Sequence, residues 1–237
     1  MPPPNNRQMA LTADMVARCE RPVPEPGPRD GIVYFTDADY VAAAEAFSAG
    51  APREDFWIFA YGSLIWKPAF AFAEQRRAVA QGWHRRFSMK LTRWRGTPEQ
   101  PGLMLALEPG GACAGILFRL PPERLVEELA LALKRETDCP EDLAYVRWLK
   151  VRAEGRHVKA LTFWAQPKHF HFPEHPTLEE TAYMLARACG HVGSGAAYLY
   201  NTVRILAEHG IHDRNLWRLQ QMVADEIAAQ ASNPGKS

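Results

Sequence analysis

The chain contains 237 residues, of which 47% are apolar and 23% are charged, and its formal net charge is +1. This length and composition are typical of a globular protein with a substantial core, and the nearly balanced charge argues against a dedicated nucleic-acid surface. No apolar run approaches the roughly 20 residues that span a bilayer, and the start Met-Pro-Pro-Pro lacks the apolar core of a signal peptide. We therefore expect a cytoplasmic protein without nucleic-acid or membrane partners.

The cysteines of the chain are Cys19, Cys113, Cys139 and Cys189, which lie far apart and without a CxxC spacing. In a reducing compartment, cysteines of this kind are most often buried free thiols. The spacing therefore favours neither a disulfide framework nor a structural zinc site.

The two ends of the chain differ from its middle. Residues 1–30 are rich in proline and polar groups and cannot bury enough apolar surface to fold alone, so they are predicted to form a partly disordered arm. Residues 12–19 are the exception, because they can form a short docked helix. A single domain is predicted over 31–231, starting with a helix over 37–49, and 232–237 are predicted to be a flexible tail.

The first half of the domain contains the apolar and aromatic runs that are typical of strands. The predicted strands are 56–61, 77–83, 86–91, 102–108, 112–119, 145–153 and 157–164. Two turn signals, Glu108–Gly111 and Glu154–Gly155, separate adjacent runs and predict a hairpin at each place.

The second half has helical periodicity and residues that are typical of helix ends. The predicted helices are 121–137, 177–189, 194–209 and 213–230. Strands cluster early and helices late, without an internal repeat or a regular alternation of strands and helices. The sequence therefore predicts an α+β fold around a curved mixed sheet.

The first candidate site is the segment Tyr61-Gly62-Ser63-Leu64 at the end of the aromatic strand. A strand that ends in glycine exposes successive backbone N–H groups, which can form an anion-binding concavity. An ordinary strand-to-loop turn is the simpler alternative. A nucleophilic Ser63 is a second alternative, although the sequence lacks the Gly-x-Ser-x-Gly elbow and evident His and Asp partners.

The second candidate is Glu136. The preceding helix carries Leu125, Leu129 and Ala132–Leu133 on its apolar face. Helical spacing of three to four residues continues this face to position 136, where a glutamate replaces the expected apolar residue. Burial and the negative end of the helix dipole both raise the pKa of such a carboxyl group towards neutral pH, where general acid–base catalysis works best. The alternatives are an ion pair with Lys134 or Arg135, or a helix that ends one turn earlier.

A histidine-rich segment over residues 169–175 is a possible metal site. His169 and His171 point the same way if the loop is extended, which is compatible with zinc. No second cluster supplies further ligands, so the segment is predicted to be a surface loop without a metal.

The sequence that contains these motifs resembles the ChaC family of γ-glutamylcyclotransferases over residues 57–228. The segments that carry the resemblance are FAYGSLIWKP at 59–68, PGLMLAL with GILFRL at 101–120, LKRE at 133–136, and GSGAAYL to HGIHD at 193–213. The segment Trp83–Ser88 also matches a family strand, and its arginines are expected near the substrate.

The resemblance implies the γ-glutamylcyclotransferase-like fold, a small mixed barrel-like β-sheet flanked by helices. It implies cleavage of glutathione to 5-oxoproline and cysteinylglycine without a cofactor or a metal, with Glu136 as the catalytic acid/base. The substrate-binding residues that it implies are Tyr61, Gly62, Ser63, Leu64 and Tyr198. In the implied reaction the substrate's own α-amine attacks its γ-carbonyl, so no enzyme nucleophile is required.

The chain departs from the family pattern at three places. Leu103 stands where the family usually has arginine. Gly195 and Ala197 stand where it usually has Asn and Glu. The spacing from Glu136 to Tyr145 is longer than usual. Because these places concern the outer half of the substrate, other γ-glutamyl amines or dipeptides remain alternative substrates, and a non-catalytic γ-glutamyl-binding module remains an alternative function.

Overall fold

The computed structural model describes residues 8–166 and 175–232. The described chain forms two compact units. The first unit contains residues 8–26, 87–104 and 175–232, and the second contains residues 27–86 and 105–166. The domain boundaries predicted from the sequence stay predictions.

Five strands form a closed barrel. Their bounds are β1 Trp57–Ala60, β2 Glu74–Leu91, β3 Gly102–Arg119, β4 Arg147–Ala153 and β5 Arg156–Thr162. The order around the barrel is β1, β3, β2, β4, β5. β1 pairs antiparallel with β3 and parallel with β5, so neighbouring strands cover both of its edges, and its apolar side chains are buried. The predicted mixed, barrel-like sheet is therefore confirmed.

Glycines near the middle of β2 and β3 bend these strands without ending them. Gly82 in β2 has φ +79°, and Gly110 and Gly111 in β3 have φ +108° and +69°. The His84 Nδ1 atom lies 3.1 Å from the Gly110 carbonyl oxygen, so the two strands stay in contact at the bend. The predicted division of each strand into two, with a hairpin at Glu108–Gly111, is wrong. Glycine permits left-handed backbone at a bulge inside a strand as well as in a turn.

The hairpin predicted at Glu154–Gly155 is confirmed. β4 and β5 pair with Ala153 opposite Arg156, which leaves Glu154 and Gly155 as a two-residue turn with φ +48° and +77°. Two successive positive φ values are those of a type I′ turn, whose twist matches that of the flanking strands.

The helices predicted from the sequence are confirmed to within a few residues. The α-helices of the described chain are α1 Ala13–Cys19, α2 Asp37–Ser48, α3 Leu125–Glu136, α4 Leu178–Arg187, α5 Gly195–Glu208 and α6 Arg214–Ser232. Thr177 begins α4 through a capping box with Glu180, which was the signal in the sequence. In the second unit, Lys134 Nζ lies 2.6 Å from Asp37 Oδ1 and ties α3 to α2.

Shorter elements connect these parts. Turns of 3-10 helix lie at Arg53–Asp55, Ser63–Ile65, Pro122–Arg124 and Pro140–Tyr145. In the first unit, β6 (Cys189–Gly190) pairs antiparallel with β7 (Gly193–Ser194) just before α5.

The N-terminal segment packs against the helices of its own unit. Leu11 is buried, and its N–H donates to Gln220 Oε1 at 2.9 Å. The Cys19 thiol donates to the Ala186 carbonyl oxygen at 3.3 Å. The docked helix predicted over residues 12–19 is therefore confirmed as α1, with Thr12 as its N-cap.

All four cysteines are free and buried, as predicted. None of the helices in the described part of the chain combines the length and the apolarity needed to cross a bilayer. The cytoplasmic location and the absence of nucleic-acid partners stay predictions. Of the predicted flexible tail, residues 233–237 lie outside the described residues.

Candidate active site

The first candidate segment, which we call the 61–64 loop, follows β1 and contains the start of the 3-10 turn. The hydrogen bonds of this turn begin with the Ile65 N–H, which donates to the Gly62 carbonyl oxygen at 3.0 Å. The N–H groups of Gly62, Ser63 and Leu64 therefore have no acceptor within the turn. They directly follow a strand that is buried and paired on both edges, and successive N–H groups of this kind can form an anion-binding site.

A buried arginine fixes this loop from the barrel. Arg85 on β2 is 6% exposed, and its guanidinium donates to the carbonyl oxygens of Tyr61 and Ala114. Hydrogen bonds from a charged donor are stronger than neutral ones. Arg85 is one of the two arginines expected near the substrate, and that expectation stays a prediction.

The Tyr61 side chain points into the protein. It is buried, and its hydroxyl lies 3.1 Å from the Phe163 carbonyl oxygen and 3.4 Å from the carbonyl oxygens of Leu105 and Trp164. A phenol has one proton to donate, so these three oxygens share it. The hydroxyl therefore holds the start of the 61–64 loop on the backbone of neighbouring segments, and a role of Tyr61 in substrate binding stays a prediction.

Glu136 is the last residue of α3 and lies at the end of the apolar face of this helix. Leu125, Leu129 and Leu133 of that face are buried, and the Glu136 side chain is 11% exposed. Burial raises the pKa of Glu136 above its usual value, and the adjacent Arg135 guanidinium opposes this with a smaller effect. The direction predicted for this pKa is therefore confirmed.

The alternatives for Glu136 are partly resolved. The helix does not end one turn earlier, because it runs through Glu136 and the Thr137 N–H still donates to the Leu133 carbonyl oxygen at 2.8 Å. Lys134 pairs with a carboxylate of α2 instead. Arg135 does donate to Glu136 Oε1. The ion pair and the raised pKa therefore occur together.

One residue connects the 61–64 loop to the end of α3. The Trp164 carbonyl oxygen lies 3.4 Å from the Tyr61 hydroxyl, and the Trp164 indole N–H donates to the Glu136 carbonyl oxygen at 3.1 Å. All these residues belong to the second unit. Trp164 thus makes a hydrogen bond to each candidate segment. Sequence reasoning missed this residue, because its signal was its place at the end of the predicted strand 157–164.

Tyr198 belongs to the first unit, near the start of α5. It is 2% exposed, and its ring packs edge-on against Phe87 with the centroids 5.8 Å apart. The Arg95 guanidinium lies over the same ring at 5.3 Å. These contacts place Tyr198 in the core of its unit, and its role as a substrate-binding residue stays a prediction.

Two of the departures from the family pattern lie at buried positions of the first unit. Leu103 is 0% exposed. A Cβ atom at Gly195 would lie 3.0 to 3.1 Å from atoms of Leu185, so the small residue lets α5 approach α4 closely. Both positions are buried in the structure, and their relation to the outer part of the substrate stays a prediction.

The histidines of the possible zinc site, His169 and His171, lie outside the described residues. Among residues 8–166 and 175–232, no group of three or more His, Cys, Asp or Glu side chains is placed to hold a metal ion. A reaction without metal or cofactor stays a prediction.

Comparison with protein families identifies the family of the chain. The family model of the ChaC-like protein matches residues 56–226, which include the 61–64 loop, Glu136 and Tyr198. The match covers well over half of the chain. The chain therefore belongs to the ChaC-like family, as its resemblance predicted.

Individual relatives agree with this assignment. The glutathione-specific gamma-glutamylcyclotransferase of Escherichia coli (strain K12) is 40% identical over 187 residues, which are 76% of this chain and 79% of the relative. The glutathione-specific gamma-glutamylcyclotransferase 1 of Homo sapiens is 31% identical over 161 residues, which are 64% of this chain and 72% of the relative. A yeast gamma-glutamyl cyclotransferase specific to glutathione, 23% identical, superposes with a TM-score of 0.62 over 72% of this chain and 96% of that chain. This last likeness confirms the predicted fold.

Proposed function

We propose that the chain is a lyase, a glutathione-specific γ-glutamylcyclotransferase that converts glutathione to 5-oxoproline and cysteinylglycine. The observation that carries this proposal is the 40% identity, over 76% of the chain, to the Escherichia coli protein named for that activity. The site supports it, because a nearly buried glutamate and a loop with available backbone N–H groups lie in the same unit.

The proposed reaction needs a proton acceptor and a proton donor but no enzyme nucleophile. The α-amine nitrogen of the γ-glutamyl group attacks the γ-carbonyl carbon, a five-membered lactam forms, and the bond to the cysteine nitrogen breaks. Glu136 accepts the proton that the amine loses and then donates it to the departing nitrogen. A positioned acid/base of this kind contributes about 10²–10⁴-fold to the rate.

The 61–64 loop has two tasks in this proposal. Its N–H groups bind negative charge, either the substrate's α-carboxylate or the oxygen of the γ-carbonyl as that oxygen becomes anionic. Binding of the carboxylate also holds the flexible γ-glutamyl chain in a folded conformation, which brings the amine close to the carbonyl. Arg85 keeps the loop in place for both tasks.

The pH dependence of the reaction follows from the pKa of Glu136. Burial raises this pKa above the ordinary value of 4.5, and only the ionised carboxylate accepts a proton. The kcat/KM for glutathione is therefore expected to rise as the pH increases through a pKa above 4.5. Initial rates across the acidic and neutral range measure this, and an acidic limb that lies at the pKa of an exposed glutamate contradicts the assignment.

A substrate panel tests the proposed specificity. Purified protein is incubated with glutathione, γ-glutamylcysteine, γ-glutamylalanine and a γ-glutamyl amine, and 5-oxoproline is quantified by mass spectrometry. We expect kcat/KM for glutathione to exceed the others by at least about tenfold, which a few lost contacts to the outer residues are sufficient to produce. A preference for the amine or the dipeptides identifies a different γ-glutamyl substrate. Binding of glutathione without any turnover identifies a non-catalytic binding module.

A further inference from the structure

We propose that Trp164 is a positioning residue that sets Glu136 relative to the 61–64 loop. This inference rests on the proposed function, in which Glu136 transfers the proton and the loop holds the substrate. Trp164 bonds to both parts: its indole N–H lies 3.1 Å from the Glu136 carbonyl oxygen, and its own carbonyl oxygen lies 3.4 Å from the Tyr61 hydroxyl.

The hydrogen bond from Trp164 to Glu136 lies at the C-terminal end of α3, where backbone carbonyl groups lack donors within the helix. The carbonyl groups in the last turn of an α-helix receive no hydrogen bond from an N–H group within the helix. The Glu136 carbonyl is one of them. The indole N–H occupies this position, and the next residue is held separately, because the Tyr40 hydroxyl donates to the Thr137 carbonyl oxygen at 2.8 Å. The final turn of α3 is therefore anchored at two successive peptide groups, and the direction of the Glu136 side chain depends on that anchoring.

The backbone of Trp164 is strained. Its φ is +53°, which is uncommon for any residue other than glycine and especially so for a bulky one. Such conformations persist only where the surrounding structure imposes them, and they cluster at functional sites. Here the Trp164 carbonyl oxygen accepts the Leu107 N–H at 3.1 Å, and the indole stacks on Tyr145 with the centroids 5.1 Å apart and the planes 20° from parallel.

These contacts give Trp164 two different kinds of role that experiment can separate. The ring contributes packing against Tyr145, and any aromatic residue supplies much of that. The N–H contributes the bond to Glu136, and only tryptophan supplies it in this geometry. Loss of the N–H alone is expected to loosen the last turn of α3, admit water to the Glu136 carboxylate and misplace it relative to the loop.

The test compares Trp164→Phe with Trp148→Phe. Trp148 lies on β4 in the same unit, and its ring contacts Phe56 at 5.3 Å, so this control makes an equal change without touching Glu136. For Trp164→Phe we expect kcat for glutathione to fall about tenfold, with KM changed less than about twofold, because a hydrogen bond that orients the acid/base is lost. We also expect the acidic limb of the kcat profile to move to lower pH, because water then stabilises the carboxylate.

A second measurement does not depend on turnover. The pKa of Glu136 is followed by carbon-13 NMR in the wild type and in Trp164→Phe, and it is expected to be lower in the variant. If the wild type leaves glutathione unchanged, the proposed function fails, while this titration still decides the inference. If Trp164→Phe does not fold, Trp164 is replaced by β-(3-benzothienyl)alanine, which keeps the ring and lacks only the N–H. An unchanged Glu136 pKa together with kinetics equal to those of Trp148→Phe overturns the proposal.

Discussion

Glu136→Gln is expected to lower kcat for glutathione by at least about a hundredfold, the lower end of what a positioned acid/base contributes. Glutamine has nearly the same shape but neither accepts a proton from the amine nor donates one to the leaving nitrogen. KM is expected to change little, because substrate binding is assigned to the 61–64 loop. Steady-state kinetics with 5-oxoproline as the detected product measure the effect.

The matched control is Glu127→Gln, a change of the same type on the same helix. The Glu127 side chain is 60% exposed and pairs with Arg124 on the same side of the helix start, so the activity of Glu127→Gln is expected to equal that of the wild type. If Glu136→Gln retains more than about a tenth of the wild-type kcat, Glu136 is not the acid/base.

Stability measurements show whether Glu136→Gln remains folded. The folded chain raises the pKa of Glu136 above the ordinary value of 4.5, so the folded state holds this proton more tightly than the unfolded state. The contribution of Glu136 to wild-type stability is therefore fully present below pH 4.5 and is lost as the pH rises through the folded pKa. Glutamine does not titrate, so the variant is expected to gain stability relative to the wild type as the pH rises. Urea unfolding at acidic and neutral pH measures this difference.

Gly115→Ala is expected to lower the free energy of unfolding by about 3 kcal/mol, the upper end of the usual cost of overpacking. Gly115 lies on β3 beside the end of β1. A Cβ atom there would lie 2.3 Å from the Ala60 carbonyl oxygen and 2.8 Å from the Phe59 ring. The backbone oxygen cannot move without shifting the strand that precedes the 61–64 loop. In thermal unfolding this corresponds to a fall in Tm of roughly 6–12 °C for a chain of this size.

The control for this variant is Gly27→Ala in the same unit. A Cβ atom at Gly27 meets nothing within 4 Å, so the substitution is expected to change stability by no more than about 0.5 kcal/mol. Equal unfolding midpoints for the two variants contradict the close approach of β3 to β1.

The parts of the site that could be predicted from the sequence are those whose pattern lies within a single segment. The run Trp57–Ala60 is apolar at successive positions, which is typical of a strand buried on both faces, and β1 is such a strand. Glu136 interrupts an apolar stripe of helical spacing, and such an interruption is visible within one helix. The capping box at Thr177 similarly placed the start of α4.

The parts that sequence could not supply depend on contacts between distant segments. Gly110 and Gly111 have the composition of a hairpin turn, and only the pairing with β2 makes them a bend within one long strand. Trp164 has no motif, since its importance comes from its bonds to Tyr61 and Glu136, which are 103 and 28 residues away. The packing of Gly195 against Leu185 is likewise a property of two helices together.

Intramolecular attack of the α-amine on the γ-carbonyl is tested most directly by turnover of glutathione in water labelled with oxygen-18. The measurement is whether oxygen-18 becomes bonded to the γ-carbonyl carbon of the product. Intramolecular attack by the α-amine forms 5-oxoproline without water, so the account predicts unlabelled 5-oxoproline and an equal amount of cysteinylglycine. Free glutamate that carries oxygen-18 in its γ-carboxylate would contradict the account, because it shows that water attacks the carbonyl, directly or through an acyl-enzyme on Ser63.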